Sequence, residues 1–204
     1  MSARTRRRPA GAADRRLARS RATRAAVVDA LLALLNEGDL RPTAPRIAAR
    51  AGVSLRSVFQ HFADLEGLFA AAADRQGEHM RRMARPLDGA GPLDTRLAGF
   101  VAQRGRILEA IAPVRRAALL MEPFSAAIRT RLAELRALGR RELERVFGDE
   151  LRARPRSARR EVLTALSAAS GFAAWDALRR HEGLSPARAR RAMLRTLRAL
   201  LNGS

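Results

Sequence analysis

The stretch at 43–62, TAPRIAARAGVSLRSVFQHF, constrains the fold more than any other part of the chain. Thr43 is of a residue type that caps helix N-termini, and Pro45 falls in the first turn, where a missing N–H costs little. Gly52 predicts the end of that helix, because glycine adopts left-handed backbone angles without a Cβ penalty. Ser54 can then cap a second helix. Two short helices joined by a glycine turn are typical of a helix-turn-helix, whose second helix enters the DNA major groove.

The second predicted helix has one face toward the body and one face toward solvent. Val58 and Phe62 are four residues apart and predict the inward face. The residues predicted to point away from the body are Leu55, Arg56, Ser57 and Gln60. Arg56 can pair with guanine and Gln60 with adenine through two hydrogen bonds each, and Leu55 can contact a thymine methyl group.

Charge is unevenly distributed along the 204 residues, which carry 40 basic and 20 acidic side chains for a net charge of +20. Residues 1–24 hold nine Arg and one Asp (+8), residues 25–80 five Arg and seven acids (−2), and residues 81–204 twenty-six Arg and twelve acids (+14). Within 40–63, four arginines meet no acid, at positions 41, 46, 50 and 56. Every basic residue is Arg, which a GC-rich genome also explains, so composition alone does not identify a partner.

The motif residues also resemble a known family. Helix 1 ends near Gly38, and it is followed by Thr43, Ile47-Ala48, Ala51-Gly52-Val53-Ser54, an aromatic residue at 59 and His61-Phe62. This pattern, over residues 24–69, is similar to the tetracycline-repressor (TetR) family of bacterial regulators. The resemblance implies an all-α fold with an N-terminal three-helix helix-turn-helix DNA-binding domain and a C-terminal helical ligand-binding and dimerisation domain. Beyond about residue 80 the match is only in length and helical character.

Two positions depart from the family pattern. The family usually has Lys where Leu65 stands and Tyr where Phe59 stands, and both family residues contact phosphates. Their loss removes contacts that position the protein on DNA but none that read bases. The motif and the resemblance together predict a DNA-binding set of Arg24, Thr43, Arg46, Ser54, Leu55, Arg56, Ser57, Phe59, Gln60 and His61.

The chain is expected to divide into a disordered basic arm at 1–20, a helix-turn-helix domain at 21–66 and a helical ligand-binding and dimerisation domain at 67–204. The arginines at 6–8 are the expected arm contacts to phosphates or the minor groove, and a solvated tail is the alternative. Periodicity and helix breakers predict helices at 21–36, 65–84, 93–112, 124–151, 157–181 and 185–201. The basic connection at 152–160 is expected to be a solvated loop, with an anion site as the alternative.

The resemblance implies that a small molecule enters a mostly apolar pocket, shifts helix 4 and releases DNA. The expected pocket residues are Met80, Met83, Phe100, Ile107, Met121, Phe124 and Trp175, although a residue of each of these types, taken singly, more often belongs to a packed core. Small-residue stripes on the last two helices, with the resemblance, suggest a homodimer interface. Its expected residues are Val162, Leu166, Ala169, Ala173, Ala177, Leu194, Leu197 and Leu201, and packing within one chain is the alternative.

The expected function is sequence-specific transcriptional regulation by a homodimeric repressor, released from a palindromic operator on double-stranded DNA by an unknown small-molecule effector. The alternatives are a constitutive, weakly specific DNA-binding protein of the nucleoid type and a helical protein at a membrane surface. The chain has no cysteine, no apolar run long enough for a membrane span, no metal-ligand spacing and no phosphate loop. We therefore expect a cytoplasmic protein that is not an enzyme, with no cofactor and no membrane partner. The sequence specifies neither the effector, the operator nor the sign of regulation.

Overall fold

The computed structural model describes residues 10–203, and over these residues it consists of helices and connections without a strand. The α-helices are α1 Ala10–Asn36, α2 Ala44–Ala51, α3 Leu55–His61, α4 Leu65–Met83, α5 Leu93–Met121, α6 Ala126–Val146, α7 Gly148–Arg152, α8 Arg156–Ala169, α9 Phe172–Asp176 and α10 Pro186–Asn202, with a π-helical turn at Ala177–His181. The all-α prediction is confirmed. The chain forms two compact units, Met1–Asp74 (unit 1) and Arg75–Ser204 (unit 2).

The first helix of unit 1 is longer than the sequence pattern predicted. It begins at Ala10, whereas we expected disorder to residue 20 and a helix from residue 21. Residues 12–36 contain neither Gly nor Pro and are rich in Ala, Leu and Arg, which are strong helix formers. The side chains at 14–22 are exposed, so this segment is helical without being packed. The arginines at 6–8 lie outside the described residues.

The end of α1 follows the prediction. Gly38 has a φ of 94°, and its N–H donates to the carbonyl of Leu35 at 3.1 Å, while the N–H of Asp39 donates to Leu34 at 3.0 Å. These bonds satisfy carbonyls that the last turn of a helix leaves without partners. The apolar residues of this helix recur at helical spacing, which predicts one inward face, and they are buried, at Val27, Val28, Leu31, Leu34 and Leu35.

Helix α5 of unit 2 continues through Pro113, where we expected a separate segment to begin. Proline inside a helix removes one backbone hydrogen bond and typically costs about 3 kcal/mol. The residues on both sides of Pro113 are buried, at Ile111, Ala112, Val114 and Ala117. Burial on this scale offsets the loss of one hydrogen bond, so packing keeps α5 continuous.

Two other helices are shorter than predicted. The segment expected at 124–151 divides into α6 and α7, and the one expected at 157–181 divides after Ala169. The Ser170 hydroxyl donates to the Leu166 carbonyl at 2.7 Å, and Gly171 is extended, with φ −79° and ψ 170°. A Cβ on Gly171 would lie 3.0 Å from the Ser167 carbonyl oxygen, so the close approach at this break favours glycine.

The core of unit 2 is assembled from residues far apart in sequence. Phe100 and Phe147 pack edge to face, with ring centroids 5.4 Å apart, and Trp175 is only 1% exposed. The Trp175 Nε1–H donates to Glu109 Oε1 at 2.8 Å, which satisfies the indole inside the core. The helical spacing of the apolar residues in 124–151 predicts that Leu138 faces inward, but it is 53% exposed.

The basic connection at 152–160 is more structured than the predicted solvated loop. Arg154 donates to the carbonyls of Glu150, Leu201 and Gly203 at 2.7, 2.6 and 2.7 Å, respectively. Arg159 donates to the carbonyl of Leu151 at 3.0 Å. Both guanidinium groups therefore satisfy carbonyls at helix ends, which gives these charges a structural role.

Among the described residues, no helix has the length and apolar character that crossing a bilayer requires.

Candidate nucleic-acid interface

The turn between α2 and α3 is held by its own backbone. Gly52 adopts the left-handed region, with φ 67° and ψ 31°, as predicted. The N–H of Val53 donates to the Ala48 carbonyl at 3.0 Å, which closes the end of α2. Ser54 Oγ accepts from the Ser57 N–H at 3.1 Å and caps α3, as predicted. These local bonds set the direction in which α3 leaves the turn.

Thr43 differs from its predicted role. Within the described part of the chain, its side chain makes no capping hydrogen bond, although its carbonyl accepts the N–H of Ile47 at 3.0 Å. The Thr43 side chain is exposed. The start of α2 therefore depends on the backbone and on Pro45 within its first turn.

Buried side chains anchor the motif within unit 1. Ile47 and Ala48 of α2 are 0% and 4% exposed, and Val58 of α3 and the following Phe62 are 1% and 5% exposed. The burial of Val58 and Phe62 is the inward face that the sequence predicted for the second helix. Because Val58 and Phe62 are four positions apart, their burial leaves the opposite side of α3 in solvent.

We call that opposite side the α3 face. Its exposed side chains are Leu55, Arg56, Phe59 and Gln60. Leu55 and Phe59 are 42% and 48% exposed, so neither is part of the buried core. Ser57 and His61 are half-buried at its edge. The face therefore combines a cation, an amide and two apolar groups on a short, capped helix.

The arginines of the motif do not all keep a free charge. Arg46 Nη1 lies 2.8 Å from Asp39 Oδ2, close enough for an ion pair although the geometry is not that of a hydrogen bond. Arg50 donates to both carboxylate oxygens of Glu37, at 3.1 and 2.5 Å. The acid-free stretch in the sequence was therefore misleading, because acids just before α2 fold back onto it. Among residues 10–203, Arg56 has no ion-pair partner.

Arg24 of α1 lies beside the end of the motif. Its Cζ is 4.9 Å from the centroid of the Phe62 ring, within the range of a cation–π interaction. The contact holds an otherwise exposed guanidinium near the C-terminal end of α3. The predicted DNA-binding residues of unit 1 are thus gathered around α2 and α3, with Arg24 supplied by α1.

The predicted pocket residues of unit 2 do not form one site. A cavity of about 770 Å³ is present, and Met80 and Ile107 line it. Phe100 and Trp175 are instead core residues, each 1% exposed, and Phe124 is 84% exposed. Met83 and Met121 are half-buried and do not appear among the described residues that line the cavity. The apolar character of a residue in the sequence therefore did not show whether it lies in the core, in the cavity or on the surface.

Sequence reasoning missed the charge of this cavity. Arginines of α4, α5 and α6 line it, including Arg81, Arg104 and Arg115. They are scattered along the chain among many other arginines, so no local pattern singles them out. Only the packing of the helices brings them to one place.

The predicted dimer residues also have different environments. Leu166, Leu197 and Leu201 are buried in the core of unit 2, at 0%, 0% and 4% exposed. Ala173 is exposed, and the half-buried residues are Val162, Ala169, Ala177 and Leu194. Because the chain breaks after Ala169, the small residues do not form the continuous stripe of one helix that we expected.

The described residues contain no cluster of three His, Asp or Glu side chains that could hold a metal ion.

Comparison with known proteins agrees with the geometry of unit 1. Residues 27–72 match the family described as bacterial regulatory proteins, tetR family, and this range covers the C-terminal part of α1 together with α2, α3 and the start of α4. No curated protein matches the sequence. A solved structure, a transcriptional regulator from Rhodococcus sp. Rha1, is similar with a TM-score of 0.67 and 19% identity over 90% of this chain and 96% of that chain. At this identity the likeness shows the fold, and residues 27–72 are similar to the DNA-binding domain of the tetR family of bacterial regulatory proteins.

Proposed function

We propose that the protein is a homodimeric repressor that binds a palindromic operator through α3 and is released by a small molecule bound in unit 2. The observation that carries the proposal is the α3 face. A helix with caps at its start and buried anchors on one side presents Arg56, Gln60 and two apolar residues to solvent. This arrangement suits the edges of base pairs in the major groove.

Each exposed residue of this face has a proposed role. Arg56 donates two hydrogen bonds to guanine, and Gln60 pairs with adenine. Leu55 and Phe59 contact thymine methyl groups. Phe59 has no hydroxyl, so it cannot make the phosphate contact that a tyrosine would make there.

The remaining residues of the set are proposed to contact the phosphate backbone. Thr43 and Arg24 are exposed near the two ends of the motif, and each carries a hydrogen-bond donor. Ser54 accepts a bond from the backbone but keeps its hydroxyl proton for a phosphate. The further proposed phosphate contacts are Arg46, Ser57 and His61.

We propose a two-fold dimer because one short helix contacts few bases. Two copies of α3 would read half-sites about 34–36 Å apart, or a multiple of that spacing. The half-buried residues Val162, Ala169 and Leu194 on α8 and α10 are the proposed contacts between copies. The buried Leu166 and Leu197 would support these helices from within unit 2.

The cavity of unit 2 supports the effector part of the proposal. Its volume of about 770 Å³ falls within the range of small-molecule sites, and α4 contributes Met80 and Arg81 to its lining, together with Ala84 directly after the helix. Binding there would displace α4 and change the spacing of the two recognition helices, which would lower operator affinity. We further propose that the protein acts in the cytoplasm and has no catalytic role.

Footprinting on the intergenic DNA beside its own gene, with an excess of random competitor DNA, tests this function. A protected palindrome that survives the competitor is the expected result. Diffuse protection that the competitor removes would contradict it and would favour a constitutive, weakly specific DNA-binding protein. The net charge of +20 and the exposed arginines of α1, such as Arg15, Arg16 and Arg19, favour that alternative.

A further inference from the structure

The cavity of unit 2 combines an apolar lining with a strong positive charge. Its apolar part comes from helices far apart in sequence and includes Ile107, Ile111, Leu135 and Phe172. Of the described residues that line it, seven are arginines and one, Glu142, is a carboxylate. A cavity that only needed to close on itself, or to bind a neutral apolar molecule, would not need this excess of charge.

Three of the arginines that line the cavity have a partner within the protein. Arg104 pairs with Glu142 at 2.8 Å, and its Cζ lies 4.9 Å from the centroid of the Phe100 ring. Arg136 pairs with Glu122 at 3.3 Å, where both groups have solvent contact. Arg140 is directed toward the Thr164 hydroxyl at 3.5 Å, a neutral partner.

Arg115 differs from Arg104 and Arg136. It is half-buried on α5, and its Cζ is 6.0 Å from the centroid of the Phe172 ring. Among residues 10–203 it has no carboxylate in ion-pair range. Burial lowers the pKa of Arg115, and the positive charge of Arg136 lowers the pKa further, with only partial compensation by Glu122. Arg115 nevertheless remains charged at neutral pH, because a guanidinium does not deprotonate in proteins.

We propose that the cavity binds an amphipathic organic anion, whose anionic head pairs with Arg115 and Arg136 and whose apolar body lies against Ile107, Ile111 and Phe172. An anionic head would supply the partner that Arg115 lacks, through charge-assisted hydrogen bonds. The apolar lining would bury a body too large for an inorganic ion. This inference rests on the proposed effector-responsive function and specifies the chemistry of the effector.

Calorimetric titration of the full chain with decanoate, and with 1-decanol as the neutral match, tests the ligand class. Decanoate is expected to bind at least about tenfold more tightly than decanol, because only the anion pairs with the guanidinium groups. Equal affinities, or no binding of decanoate to the folded protein, would overturn the proposal. Decanoate affinity that falls as the protein concentration rises would also overturn it, since that would mean that a second copy of the chain covers the cavity.

A pair of variants on α5 tests the role of Arg115. Arg115→Met keeps the length and removes the charge, and it is expected to weaken decanoate binding at least about tenfold. Arg106→Met is the matched control, because Arg106 lies on the same helix but is exposed and outside the cavity lining. Unchanged binding by folded Arg115→Met would remove Arg115 from the site. If that variant does not fold, the comparison of decanoate with decanol on the unaltered chain still decides the proposal.

The operator assay separates this inference from the proposed function. Decanoate that binds the free protein but leaves the operator complex intact would keep the ligand class and contradict ligand-induced release. Release of the operator by a neutral compound, without decanoate binding, would keep ligand-induced release and contradict the proposed ligand class.

Discussion

The α3 face and the cavity of unit 2 both present arginine, but they are built in different ways. The α3 face comes from one helix of residues 55–61, and its direction is set by contacts within 47–62. The cavity draws on residues from Met80 to Ala173, supplied by several helices. A surface of the first kind is encoded over a few turns of chain. A cavity of the second kind exists only after distant helices have packed.

The two regions also treat their positive charges differently. Arg46 and Arg50 of α2 each meet a carboxylate, so among the arginines of α2 and α3 the charge available for base recognition lies on Arg56. In the cavity, the described lining residues include seven arginines and the single carboxylate Glu142, which pairs with Arg104. Changes at α3 should therefore alter recognition without altering stability, whereas changes inside unit 2 should alter stability first.

The largest effect is expected for Trp175→Ala in unit 2. This residue is 1% exposed, and its removal should cost about 3–5 kcal/mol of unfolding free energy through lost burial and a residual cavity. Phe124→Ala is the matched control, since Phe124 is 84% exposed and should change stability by no more than about 0.5 kcal/mol. Urea unfolding followed by circular dichroism measures both, because Trp175 is the sole tryptophan and its fluorescence is lost in the variant. Similar losses for the two variants would contradict the structure.

A somewhat smaller and pH-dependent effect is expected for Glu150→Gln. Arg96 is 7% and Glu150 18% exposed at the side chain, and Arg96 also donates to the Val146 carbonyl at 2.7 Å. Removing the carboxylate charge should cost about 3 kcal/mol at neutral pH, because it leaves a buried guanidinium without its counter-charge. The exposed Glu144→Gln on α6 should cost much less.

The pH dependence of the same pair has a definite sign. The hydrogen bond from Arg96 lowers the pKa of Glu150 below its ordinary value, although burial opposes this. The stabilisation is therefore fully present above the unfolded pKa of about 4.3 and is lost as the pH falls through the lower folded value. The difference in urea midpoint between the native chain and Glu150→Gln should shrink as the pH is lowered through this range. A difference that grows toward acid pH would contradict the assignment.

At the α3 face, Arg56→Ala should reduce discrimination and leave folding unchanged. We expect a loss of about 1–3 kcal/mol in the preference for the operator over a variant operator with the contacted guanine replaced. Arg46→Ala is the control, because Arg46 is already paired with Asp39. This variant should bind all DNA sequences more weakly, and by about the same factor. Competition binding on the footprinted site measures both, and an unchanged preference with Arg56→Ala would exclude this residue from base reading.

The smallest effect is expected for Glu37→Gln. The side chains of Arg50 and Glu37 are 45% and 52% exposed, so their ion pair should contribute no more than about 1 kcal/mol to stability. The change releases the Arg50 charge beside α2, and it should steepen the salt dependence of DNA binding by about one phosphate contact. Thermal unfolding and titrations at several salt concentrations measure the two effects. A large stability loss would mean that α2 depends on this pair.

Much of the fold and part of the site could be predicted because the relevant signals are local. The caps at Gly52 and Ser54 form as expected, and at the start of α4 the Gly67 N–H donates to Asp64 Oδ1 at 2.7 Å. A cap depends on backbone groups within about four residues, so the sequence alone specifies it. The exposed positions of α3 follow equally from helical periodicity and two buried anchors.

Other features depended on contacts between distant residues. Phe124 and Trp175 are both aromatic and were both expected in a pocket, yet one is exposed and the other is buried. The continuity of α5 through Pro113 follows from the burial of the flanking turns.

The sequence by itself determined the helical class, the helix-turn-helix and the residues on its outer face, because hydrogen bonds within a few residues and a helical period set them. The tertiary structure alone decided which arginines are paired, which line the cavity and which large apolar residues form the core. Those outcomes depend on distances between helices that are far apart in the chain. The surroundings of each side chain set the interaction energy of its charge and the free energy gained by burying its apolar area. Arg50 and Arg115 show the difference. Arg50 pairs with Glu37 on the surface of unit 1, whereas Arg115 in unit 2 has no carboxylate partner among residues 10–203 and lies near the Phe172 ring.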